Sequence, residues 1–185
     1  MAIKATIHKA TLDLSDIDRQ LYLDANFTLA RHPSETDERM MVRLLAFALH
    51  LPGSDNPHGP LEFARDMWEP EDEPALWQRD LTGRLVYWID VGEPDERRML
   101  RVSARVTRMS VYSFGPANWW PGIASKLTRL QNVTVWRLDP AQVEELAGLA
   151  ERTMQLNVTV QDGAVYVGNG QRSVEVTPVR LFGPA

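Results

Sequence analysis

The stretch from Leu85 to Ala150 restricts the topology of this chain more than any other part of it. An apolar run, Leu85-Val86-Tyr87-Trp88-Ile89, has the length and composition of a strand and ends on Asp90. Helix-like and strand-like segments then alternate: a helix over about Pro94 to Val106, a strand over Met109 to Phe114, a helix over Ala117 to Leu130, a strand over Val133 to Leu138 and a helix over Ala141 to Ala150. Strands separated by helices become parallel neighbours joined by crossovers, so an α/β core is expected.

Both flanks carry the two-residue period of half-buried strands. Leu21, Leu23, Ala25, Phe27 and Leu29 alternate with Tyr22, Asp24, Asn26 and Thr28. The opening segment is β-like with a change of parity between Ile3-Ala5-Ile7 and Ala10-Leu12-Leu14, which predicts a bulge near His8 to Ala10. Near the other end, Leu156, Val158 and Val160 alternate up to the hairpin signal Asp162-Gly163, and two further β segments follow to Val176. The expected fold is mixed α/β, with antiparallel strands from both chain ends forming an additional sheet.

Between the first strand pair and the α/β stretch, Ser34 is placed to cap a helix running through Met40, Met41, Leu44, Leu45, Phe47 and Ala48 to Pro52-Gly53. Its apolar residues cover a wide arc, as in a central helix, and Glu38 stands on the inward side one turn from its start. Residues 53 to 80 are rich in Pro, Asp, Glu and Gly. They predict a polar loop with short helical pieces at Leu61 to Met67 and Pro74 to Gln78.

Composition removes several chemistries. With no Cys, thiolate metal sites, iron–sulfur ligation, disulfides and cysteine nucleophiles are excluded. No apolar run is long enough to span a bilayer, and the first 14 residues lack a signal-peptide core, so a cytoplasmic protein without membrane association is expected. The net charge of −5 disfavours a general nucleic-acid coat but not a local phosphate-facing patch. Arg97, Arg98, Arg101, Arg105 and Arg108 crowd one segment, and helical spacing would align Arg97, Arg101 and Arg105. Such a stripe is either a solvated face offsetting Glu93, Asp95 and Glu96 or a phosphate contact.

Three acids mark the candidate site: Glu38 on the helix, Asp80 before the turn Leu81-Thr82-Gly83, and Asp90 at the end of the apolar strand. Clustered carboxylates suit Mg²⁺ or Mn²⁺, which take hard oxygen ligands and can activate water against a phosphodiester. Each acid also has a plainer assignment. Glu38 fits a first-turn acid favoured by the helix dipole, Asp80 an Asx-turn, and Asp90 a cap for the amides near Glu93-Pro94. His32, the Trp119-Trp120 pair and the serines form no catalytic motif.

A helical acid, an Asp at a hairpin and a second acid on the next strand resemble the PD-(D/E)XK nuclease core, whose Lys two residues after the second acid assists the water; that position is Gly92 here. More specifically, His32 to Phe47, Asp80 to Gly83, Trp88 to Asp95 and Glu151 to Leu156 resemble the bacterial YaeQ family. The resemblance covers essentially the whole chain. It implies one domain over residues 1–185 with a variant PD-(D/E)XK nuclease-like fold, in a family without a settled activity. Two functions follow as expectations. One is a Mg²⁺-dependent nuclease-like phosphodiesterase in which Glu38, Asp80 and Asp90 hold the metal in one cleft, while Arg97 or Arg98 meets phosphate and partners the acids when no metal is bound. The other is a non-catalytic regulatory or nucleic-acid-associated binding module on the same fold. Substrate and oligomeric state are not encoded legibly.

Overall fold

The protein is described from a computed structural model covering residues 4–64 and 73–184. In chain order its elements are β1 (Thr6–Asp16), β2 (Leu21–Arg31), α1 (Asp37–His50), β3 (Leu61–Phe63), β4 (Leu76–Arg79), β5 (Leu85–Val91), α2 (Glu96–Ser103), β6 (Arg108–Ser113), α3 (Trp119–Ile123), β7 (Val133–Arg137), α4 (Pro140–Ala147), β8 (Thr153–Gln161), β9 (Ala164–Gly168), β10 (Ser173–Val176) and β11 (Val179–Phe182). They form two compact units: residues 1–48 with 139–178, and residues 49–138 with 179–185. Each contains a mixed sheet.

In the first unit the strand order is β10-β9-β8-β1-β2. The chain ends do share a sheet, but β1 pairs parallel with β8, so the additional sheet is mixed rather than wholly antiparallel. The pairing of β1 with β2 runs without interruption from Thr6–Arg31 to Asp16–Leu21, and no bulge is present. His8 joins Ala10, Leu12 and Leu14 on the buried face, which leaves Ile7 on the other face at 50% exposure. The parity change in the sequence therefore reflects an exposed isoleucine, while Ile3 lies outside the described residues.

Helix α1 buries nine successive residues, Met40 to Ala48, as a central helix should. Phe47 packs on Phe27 of β2 with ring centroids 4.7 Å apart. The cap is Thr36, whose Oγ1 accepts the Arg39 amide, rather than Ser34, whose own amide turns back to His32 Nδ1. Within this apolar surround Arg43 donates from Nη1 to both oxygens of Glu35, at 2.8 and 3.0 Å, and Arg39 adds a third bond at 2.6 Å. Burial pulls the Arg43 pKa down, and the Glu35 carboxylate opposes that shift.

The second unit has the order β11-β7-β6-β5-β4-β3. The expected parallel core is β5-β6-β7, with Trp88 beside Met109 and Val111 beside Val135. Met99 and Val102 of α2, together with Val106 and Leu127, close one face of it over Trp88, Met109, Val111, Val133 and Val135. The half-buried Trp119 and Trp120 pack on this core. Helix α3 is five residues long and is followed directly by a 3₁₀ turn at Ala124–Lys126, so the helix expected at Ala117 to Leu130 is broken into short pieces.

Leu61–Phe63 and Leu76–Arg79 are strands, not helical pieces, because each completes the backbone bonding of an antiparallel neighbour. Residues 65 to 67 of the first expected helix fall outside the described residues. Strand β11, which the sequence reading did not identify, pairs antiparallel with β7. Among the described residues no helix is long and apolar enough to cross a membrane.

Candidate functional site

Asp90, the penultimate residue of β5, is buried, so its charge must be met inside the protein. Arg98, one turn into α2, meets it with two bonds: Nε donates to Oδ2 and Nη2 to Oδ1, each at 2.8 Å. Trp88 Nε1 adds a third donor to Oδ1 at 3.0 Å. The helix is started by Asp95, whose Oδ1 accepts the Arg98 amide at 2.8 Å. Asp95 is thus the cap, and Asp90 is the arginine's acceptor rather than a cap.

Asp80 has a different environment. Its Oδ1 accepts from the Thr82 amide and hydroxyl and from the Arg84 amide, an Asx-turn closed by the Asp80 N–H to Arg84 carbonyl bond. The Thr82 hydroxyl, with the backbone amides of Arg84 and Thr82, holds the carboxyl below its usual pKa. From Leu85, just after this turn, to Asp90 is five steps along the strand, about 17 Å at the usual rise. The structure therefore sets Asp80 and Asp90 at opposite ends of β5 and does not bring them together.

Glu38 is half-buried in the first turn of α1, in the first unit, next to Asp37, which pairs with Arg31 at 2.7 Å. Arg97 is exposed on α2 and holds no acid among the described residues, whereas Arg98 is committed to Asp90. The aligned stripe is shorter than the spacing suggested. Arg97 and Arg101 are one turn apart on α2, but Arg105 lies beyond its end at Ser103.

Among the described residues no group of three His, Asp or Glu side chains could hold a metal ion. The donor chemistry agrees, since both Asp90 oxygens are already hydrogen-bonded and the nearest partner is a cation. These residues do not fit a preformed Mg²⁺ or Mn²⁺ site. At Gly92 the backbone has φ +114°, a conformation that an L residue such as Lys rarely adopts.

Two features escaped the sequence reading. The hairpin register pairs Leu76 with Ile89, so the start of β4, not the turn, flanks Asp90; Arg98 Nη2 also reaches the Glu73 carbonyl at 2.7 Å. Counting back symmetrically from the Asp80–Arg84 turn puts Trp88 opposite Leu76, and the register shift between Gln78 and Arg79 moves the partner to Ile89. A second polar cluster joins His50 to the hydroxyls of Tyr112 and Tyr87, at 2.7 and 2.9 Å, and Tyr87 to Ser110 at 2.8 Å. No local spacing announces it, because its members are scattered over 63 sequence positions, from 50 to 112.

A family model described as YaeQ protein matches residues 1–178. The chain is 40% identical over 179 residues to the Uncharacterized protein YaeQ of Escherichia coli (strain K12), covering 95% of each, and 39% identical over 179 residues to its counterpart in Salmonella typhi, again covering 95% of each. The crystal structure of YaeQ protein from Xanthomonas axonopodis pv. citri is similar at a TM-score of 0.88 and 42% identity, over 97% of this chain and 99% of that one. The YaeQ protein structure from Pseudomonas syringae gives a TM-score of 0.87 and 36% identity, over 97% of both.

Proposed function

Because the chain belongs to the YaeQ family, whose named relatives carry no assigned activity, we propose its function from side-chain chemistry: a nucleic-acid-associated binding module that is not a hydrolase. One observation carries this reading. Around α2 each acid is held by a donor within the protein, and cationic side chains lie at the surface. Asp90 is held by Arg98, Glu93 by the Phe114 and Gly115 amides, Asp95 by the helix N-terminus and Glu96 by Lys126 at 2.7 Å. Arg97, Arg101, Arg105 and Arg108 are exposed. The outward field of this segment is therefore cationic although the whole chain carries −5. Exposed guanidiniums at Arg97 and Arg101, one turn apart on α2, and at Arg105 just beyond its end suit phosphates along a nucleic-acid backbone, by charge and bidentate hydrogen bonding rather than base reading.

The nuclease-like framework belongs to the same reading, supported by the succession of helix α1, hairpin β4-β5 and an acid at the end of β5. Metal-dependent phosphodiester hydrolysis has weaker support, since Asp90 is tied up by Arg98 and Gly92 replaces the motif Lys. A fluorescence anisotropy titration of a labelled oligonucleotide at low salt tests the binding reading. The triple variant Arg97→Glu, Arg101→Glu, Arg105→Glu should abolish binding. For the wild type, log affinity should fall against log salt with a slope of about −2 to −3, as expected for three phosphate contacts. No binding at low salt, or binding unaffected by the triple variant, overturns the reading.

A further inference from the structure

The carboxyl ends of β5, β6 and β7 lie side by side, with Val91 beside Tyr112 and Ser113 beside Arg137. Open α/β sheets bind ligands at such ends. Phe114 and Gly115 follow β6 directly, and their successive N–H groups converge on one atom: both donate to Oε1 of Glu93, at 3.0 and 2.5 Å. Consecutive backbone donors aimed at one oxygen make a concavity for an anion. A Cβ at position 115 would stand 2.5 Å from Glu93 Cδ and 2.6 Å from Oε2, so the carboxylate reaches the amides only because residue 115 is glycine. Oε2 accepts no hydrogen bond among the described residues.

A cation stands beside this loop. Arg137, the last residue of β7, donates from Nη2 to the Gly115 carbonyl at 2.7 Å, and its other N–H groups have no partner among the described residues. Three elements thus supply an amide pair, a guanidinium and a carboxylate that already occupies the amide pair. Were Glu93 only a tie between loops, one neutral acceptor would suffice and a guanidinium with spare donors would be superfluous.

We propose that the Phe114–Gly115 amides and Arg137 form a site for a phosphate group, and that Glu93 is the built-in competitor occupying it. A phosphate oxygen takes the place of Oε1 on the two amides, and the Arg137 guanidinium, anchored on the Gly115 carbonyl, adds positive charge beside the loop. This site extends the nucleic-acid reading by one specific anchor, yet it stands or falls separately, because inorganic phosphate alone probes it.

Amide NMR of the full chain, titrated with inorganic phosphate against sodium chloride at equal ionic strength, is the test. In Glu93→Ala the Phe114 and Gly115 amides should shift saturably at a concentration about tenfold lower than in the wild type, because the competing charge is gone. Adding Arg137→Gln to that variant should weaken phosphate about tenfold. Glu93→Gln keeps the shape and removes the charge, so its midpoint should fall between the other two, and it serves as the comparison if Glu93→Ala does not fold. Amides that stay still in the folded variants, or that move equally with chloride, overturn the proposal. A phosphate response with no oligonucleotide binding would retain this site and reject the nucleic-acid reading.

Discussion

Arg98 and Asp90 are joined by two parallel hydrogen bonds of 2.8 Å, with side chains only 15% and 7% exposed. Removing one partner from so enclosed a pair strands the other charge. Asp90→Ala should therefore destabilise the protein by roughly 2–3 kcal/mol, below the range for fully buried pairs because Arg98 keeps some solvent. Urea unfolding measures the loss. Mn²⁺ should leave the wild-type melting temperature unchanged; a rise that disappears in Asp90→Asn would make Asp90 a metal ligand after all.

Glu35 and Arg43 pose the same problem more severely, with side chains 0% and 1% exposed. Glu35→Gln leaves a buried guanidinium without its counter-ion and should cost about 3–5 kcal/mol. A Glu35→Leu, Arg43→Met double variant removes both charges and should recover most of that loss. A double-mutant cycle from denaturant titrations settles it, and a double variant weaker than either single one would show that the charges themselves are required.

Gly92 occupies the position where the resembling nuclease plan has Lys. A Cβ there meets no atom within 4 Å, so space is not the obstacle; the φ of +114° is. Gly92→Lys and Gly92→Ala should each lose about 1–3 kcal/mol, by the same amount, because the strain lies in the backbone. Neither should cleave a plasmid in the presence of Mn²⁺. Metal-dependent nicking gained by Gly92→Lys alone would revive the hydrolase.

The fold was legible wherever one face of an element is buried. The alternation of Leu21 to Leu29 marked β2, the wide apolar arc of Met40 to Ala48 marked α1, and the helix-strand alternation after Leu85 marked the parallel core. Strands β3 and β4 were hidden because three or four residues cannot establish a period, and their stability comes from neighbours far along the chain. The site was legible one residue at a time. Burial of Asp90 follows from the apolar run before it, but its separation from Asp80 depends on the direction of β5 in the hairpin. Arg97 or Arg98 was expected to partner the acids in the absence of metal, and the choice of Arg98, with Asp90 alone as its acid, is set by the start of α2. The Glu93 contact to Phe114 and Gly115 joins two loops 21 and 22 positions apart, which no local pattern encodes.

The exposed turn at Asp80 gives a pH-dependent test of its structural role. The Thr82 hydroxyl first, then the Arg84 and Thr82 amides, favour the ionised carboxyl and depress its pKa below the ordinary 3.8. A group with a depressed folded-state pKa contributes stability above its unfolded value, and that contribution is lost as pH falls through 3.8 toward the lower folded value. Asp80→Asn keeps the turn-forming amide oxygen but not the charge. It should be less stable than the wild type at pH 7, with the gap closing in acid below about pH 3.8. Thr82→Ala should raise the Asp80 carboxyl toward its ordinary value in an NMR titration, since it deletes the strongest of the three donors. A stability gap that stays constant across this range would mean that the Asp80 charge does not hold the turn.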